Sequence, residues 1–184
     1  MIGNMKNLLF LFLITSSTFL YCQNFSDIEE FSKYIGKDFN SIQNDYKLSA
    51  SESGTEFGID SKVYKYKSFA IIISEIEDNN LIGEINLTPI SSKNNSEIWY
   101  QNIKETNSNH NYFFVKAFIK NEKDSFFDKT INYNELIKKV REIGISNDVL
   151  TEICYKKDML YYSFSLFRNS FSVKISSDNP LKNF

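Results

Sequence analysis

The chain has 184 residues, 42% of them hydrophobic and 24% charged, with 21 Lys and Arg against 23 Asp and Glu. A formal charge of −2 argues against a non-specific nucleic-acid binder, which needs a strongly basic face. Two prolines and six glycines exclude collagen-like and Pro-rich linker architectures, and 16% aromatic residues exclude wholesale disorder.

The first element is an address. Lys6 precedes an apolar run from Leu8 to Ile14, four hydroxyl residues follow at 15–18, and Phe19 to Tyr21 closes the stretch, which is the anatomy of a secretory signal peptide over 1–22. The run falls short of the roughly 20 apolar residues of a membrane span. Cleavage after Cys22 leaves Gln23 first and Cys154 as the one cysteine, so no internal disulfide is expected. The rival is lipidation of Cys22, which anchors the protein to a membrane; Tyr21 fits that poorly, because a small residue normally precedes a lipoprotein cysteine. Abundant Asn, Lys, Ile and Phe point to an AT-rich bacterial genome.

Beyond the address, one globular domain is expected over 23–176. Ser26 and Glu29 form a capping-box pair, and Ile28, Phe31 and Ile35 predict a helix over 27–35 that Gly36 ends. Phe39, Ile42 and Tyr46 predict a second short helix. From Thr55 to Leu87 the period shortens: Lys62 to Lys67 alternates, 69–75 reads as a central strand buried on both faces, and 81–87 as its neighbour. Ser96 is the expected cap of a helix carrying Ile98, Trp99 and Ile103. A strand over 112–120 and a charged loop over 121–128 lead to the clearest helix, in which Asn132 caps, Glu135 completes a capping box and Ile131 staples onto Leu136. Three strands follow, at 149–155, 159–167 and 171–176, joined by short polar turns. Residues 177–184 read as a flexible tail. The order predicts an α+β fold of antiparallel β-meanders packed with three to four amphipathic helices.

Chemical equipment is sparse. His110 is the lone histidine and sits in an Asn/Ser-rich loop, so no zinc or iron ligand set and no Ser-His-Asp arrangement is indicated. Gly54 and Gly58 lack the Lys-Ser/Thr that a phosphate loop requires. No catalytic residue, cofactor or metal site is therefore assigned. Glu75, Glu77 and Glu84 lie near one hairpin, where carboxylates usually discourage edge pairing. Cys154, between Ile153 and Tyr155, reads as a small buried hydrophobe.

Tyrosines are the distinctive feature, because each supplies rigid contact area and one hydrogen bond. Tyr64, Lys65 and Tyr66, with Tyr112, Tyr161 and Tyr162, are the candidate binding residues, although Tyr161 and Tyr162 must face opposite ways on a strand. The leading expectation is an exported, non-catalytic binding module of inhibitor or immunity type, presenting an aromatic and lysine sheet surface to a protein, peptide or envelope component. The alternatives are a carboxylate-based hydrolase of envelope or extracellular polymer, and a small-molecule carrier.

Overall fold

Alternating apolar and polar residues, punctuated by tight turns, build one antiparallel sheet of nine strands. In the computed structural model, which describes residues 25–76, 79–91, 93–121, 126–129, 132–143 and 148–182, the first described elements are two helices, α1 (Phe25–Ser32) and α2 (Ser41–Tyr46). A meander follows: β1 (Glu52–Glu56), β2 (Ile59–Tyr66), β3 (Phe69–Ser74) and β4 (Glu84–Pro89). Then come α3 (Asn95–Ser108), β5 (Phe113–Asn121), β6 (Phe126–Lys129) and α4 (Tyr133–Ile143). The last meander is β7 (Val149–Lys157), β8 (Leu160–Phe167) and β9 (Ser170–Ser176). Strand order is β1-β2-β3-β4-β9-β8-β7-β5-β6, so the two meanders meet where β9 pairs with β4. The result is a single α+β domain.

Register explains how this sheet makes a core. Tyr64, Ile71, Leu87, Val173, Phe164, Ile153 and Ala117 are cross-strand partners in succession, and all seven are buried. The helices pack on that face: α1 touches α3 and β4, α3 lies on β8 and β9, and α4 lies on β5. One residue along each strand, the succession Val63, Ile72, Asn86, Lys174, Ser163, Cys154 and Lys116 points to the other face.

Several expectations are corrected. The strand over 69–75 is not buried on both faces: Phe69, Ile71 and Ile73 enter the core, while Ala70, Ile72 and Ser74 are half-buried opposite. The charged loop over 121–128 contains β6, whose Phe126 and Phe127 pair with Asn121 and Lys120. β1 is exposed at every residue and so carries no alternation; the hairpin turn makes it, with Phe57 and Gly58 both at positive φ (52° and 79°), as a type I′ turn requires. Ser96 is not a cap, since α3 begins at Asn95 behind Asn94.

The capping box of α4 is present: Asn132 N–H donates to Glu135 Oε2 at 3.3 Å, and Glu135 N–H donates to Asn132 Oδ1 at 3.0 Å. Ile131 and residues 1–22 lie outside the described residues. Of the tail, residues 177–182 are described, and Leu181, 1% exposed, packs against Phe118 and Cys154 of the sheet.

Candidate binding groove

The helix layer decides the fate of the candidate tyrosines. Tyr64 is 0% exposed; its hydroxyl meets no hydrogen-bond partner, and burial pushes its pKa up. Tyr66 is half-buried in an aromatic cluster, 5.5 Å from Phe31 and 4.9 Å from Tyr46 between ring centroids. Tyr112, 6% exposed, meets Tyr162, 2% exposed, edge-on at 5.1 Å. Tyr161 alone faces the opposite side, with the Lys156 ammonium 5.3 Å from its ring, and Lys65 is exposed there. These side chains do not form one recognition surface. Among the described residues the core fills its volume with rings, and the helices cover most of them.

Buried phenols need partners, and acidic residues on the helices supply them. Tyr34 donates to Asp45 at 2.7 Å, Tyr46 to Glu30 at 2.5 Å and Tyr112 to Glu29 at 2.7 Å. Glu29 also accepts from Lys157 at 2.5 Å, and that ammonium lies 5.1 Å from the Tyr112 ring. Burial alone would raise the Glu29 pKa, yet the bonds from Lys157 and Tyr112 outweigh it and hold the carboxyl below its ordinary value. Asp27 of the same helix pairs with Lys67 at 2.7 Å, so α1 is clipped to both meanders.

The accessible concavity lies elsewhere, between α3 and α4. Tyr133, Ile137 and Arg141 recur every four residues and so form one stripe of α4, facing Tyr100 of α3. Arg141 donates to the Tyr100 hydroxyl at 3.0 Å, with its guanidinium 6.0 Å from the ring centroid. Two adjoining depressions of about 550 and 530 Å³ share Tyr100, Ile137 and Arg141 and open to solvent. The first adds Tyr133 and Lys138; the second adds Glu97 and Val140. Burial, then the neighbouring Tyr100, pushes the Tyr133 pKa up, against the opposing charge of Arg141. Trp99 forms the floor as a buried core residue, its indole N–H donating to the Phe164 carbonyl at 3.2 Å. Tyr and Arg side chains are enriched at recognition surfaces. Tyr100, Tyr133 and Arg141 carry no sequence signal for this role, because only the packing of two helices brings them together.

The helix-free face holds the remaining polar chemistry. Lys174 pairs with Glu84 at 3.1 Å, and Ser163 donates to Glu152. Burial pushes the Glu152 pKa up, and the bonds from Ser163 and Ser165 and the charge of Lys174 offset it only in part. Cys154 is fully buried, and burial, reinforced by Glu152, pushes its thiol up to about 12, which leaves it unreactive. His110 is exposed, Glu75 is buried, and Glu77 lies outside the described residues. Among the described residues no three His, Cys, Asp or Glu side chains gather in a metal-binding group, and no helix is long and apolar enough to cross a membrane.

No protein-family model and no curated protein matches the chain. Among solved structures it is similar to a cysteine-rich secretory protein from Staphylococcus aureus, at 15% identity and a TM-score of 0.39, over 78% of this chain and 43% of that one. The chain thus spans less than half the length of that neighbour.

Proposed function

We propose that this protein is an exported, non-catalytic binding module, of inhibitor or immunity type, that takes a protein or envelope component into the groove between α3 and α4. The observation that carries the reading is the convergence of Tyr100, Tyr133 and Arg141 on one solvent-open concavity. Tyr and Arg are the residues that dominate recognition surfaces, since they give large contact area and directed hydrogen bonds for little lost freedom. An open groove of this kind suits a surface or chain segment better than an enclosed small molecule, which weighs against the carrier reading. The signal-like residues 1–22 support export.

The test is capture of the partner from the envelope fraction by the exported protein. A Tyr100→Ala/Arg141→Ala double variant should lose it, and Lys65→Ala should keep it. Capture that survives the double variant removes the groove from the reading; an uncut precursor residing in the cytoplasm removes export.

A further inference from the structure

The face opposite the described helices carries an apolar island in a mixed row. Phe118 of β5 and Cys154 of β7 are buried there although none of the described helices covers them, and Val115, Leu150 and Tyr161 pack around them. Every member of that cluster lies on a sheet strand except Leu181. After Ser176 the chain turns back and crosses β8 and β7 towards β5, and it is Leu181 that fills the space above the island. The rest of its hold is slight. Asp178 N–H bonds to Ser176 Oγ at 3.1 Å, Leu181 N–H to Asn179 Oδ1 at 2.9 Å and Lys182 N–H to the Asn179 carbonyl at 3.2 Å, all internal to the segment. Across to the sheet runs a long bond of 3.4 Å, from Lys116 Nζ to the Leu181 carbonyl.

From this arrangement we infer that the helix-free face holds a leucine socket, formed by Phe118, Cys154, Val115, Leu150 and Tyr161, which binds an extended segment bearing a branched aliphatic side chain and is occupied in cis by the strap 177–182. The sheet beneath does not depend on the strap, because each strand of the socket is already hydrogen-bonded to its neighbours. Among the described residues the strap is tied to the sheet by the packing of Leu181 and that one long hydrogen bond, and the expected motion is local opening rather than unfolding. A short tether keeps the socket filled at an effective concentration in the millimolar range, which one leucine in trans does not reach unaided.

Cys154 reports on the socket. In the full chain with Cys22→Ser it is the sole thiol, and Trp99 is the sole tryptophan, so labelling with Ellman's reagent reads the socket while fluorescence reads the core. Deleting 177–184 should speed labelling by about tenfold or more with the buried emission of Trp99 retained, and Leu181→Ala should give a smaller acceleration. A peptide of residues 176–184, added at millimolar concentration to the deleted chain, should slow labelling again, and its Leu181→Asp counterpart should not. The inference is overturned if labelling follows global unfolding in every variant, if the deleted chain loses its Trp99 emission, or if the two peptides protect equally.

Discussion

The two faces of this sheet differ by one residue of register and by nearly everything else. On the covered face a succession from Tyr64 to Ala117 is buried, and at its edge Tyr112 and Lys157 meet Glu29, while the Tyr64 hydroxyl has no hydrogen-bond partner. On the other face the adjacent succession is mixed, and Glu152 is buried enough to be disfavoured as an anion while Lys174 is committed to Glu84. The contrast shows a carboxylate poised between burial and its partners, with the partners prevailing at Glu29 and burial prevailing at Glu152. Glu29 and Glu152 are both drawn up by burial, and they end on opposite sides of the ordinary value.

The contrast can be broken at its strongest point first. Phe31 packs against Tyr34, Tyr46 and Tyr66, so Phe31→Ala should cost about 3–5 kcal/mol in urea unfolding, by lost transfer and an unfilled cavity. A loss near zero would mean that the helix layer is not part of the cooperative core. Asn132→Ala removes one half of the α4 capping box and should cost about 1 kcal/mol, while Asn132→Asp should retain most of it.

The two glutamates sharpen the comparison through pH. The folded pKa of Glu29 lies below its ordinary value of 4.5, so its contribution to stability is complete above that pH and fades as pH falls through the folded value. Glu29→Gln should therefore lower stability at neutral pH and converge with the parent in acid. For Glu152 the folded value lies above 4.5, so stability is greatest below that pH and declines as pH rises through the folded value. Glu152→Gln, which keeps an acceptor for Ser163, should raise stability at neutral pH and converge in acid. Melting temperatures of the parent and the two variants from pH 3 to 8 check both; curves that shift in the same direction would refute the assignment of opposite partners. The smallest effect is expected at Lys65, where Lys65→Ala should change stability by less than about 0.5 kcal/mol, because an exposed side chain away from caps and pairs has little to lose.

Much of the architecture was legible because it is local. The capping box at Asn132 and Glu135, the alternation through β2 and the polar turns of the last meander are short-range signals, and each sits within about two residues of its structural counterpart. The candidate site was much less legible. Period-2 alternation assigns Tyr64 and Tyr66 to one face of β2 but does not say that α1 and α2 will cover that face. Arg141 carries no sequence signal for the groove, because only the packing of α4 beside α3 brings it to Tyr100.

The residues alone determined that this chain would fold into antiparallel strands and helices, because periodicity and capping act between neighbours in sequence. Tertiary structure alone decided which sheet face the helices would cover, that β9 would join the two meanders by pairing with β4, and that Leu181 would close an apolar island far from it in the chain. Those outcomes depend on contacts between distant segments, whose free energy is a property of the assembled surfaces and not of any one stretch of sequence.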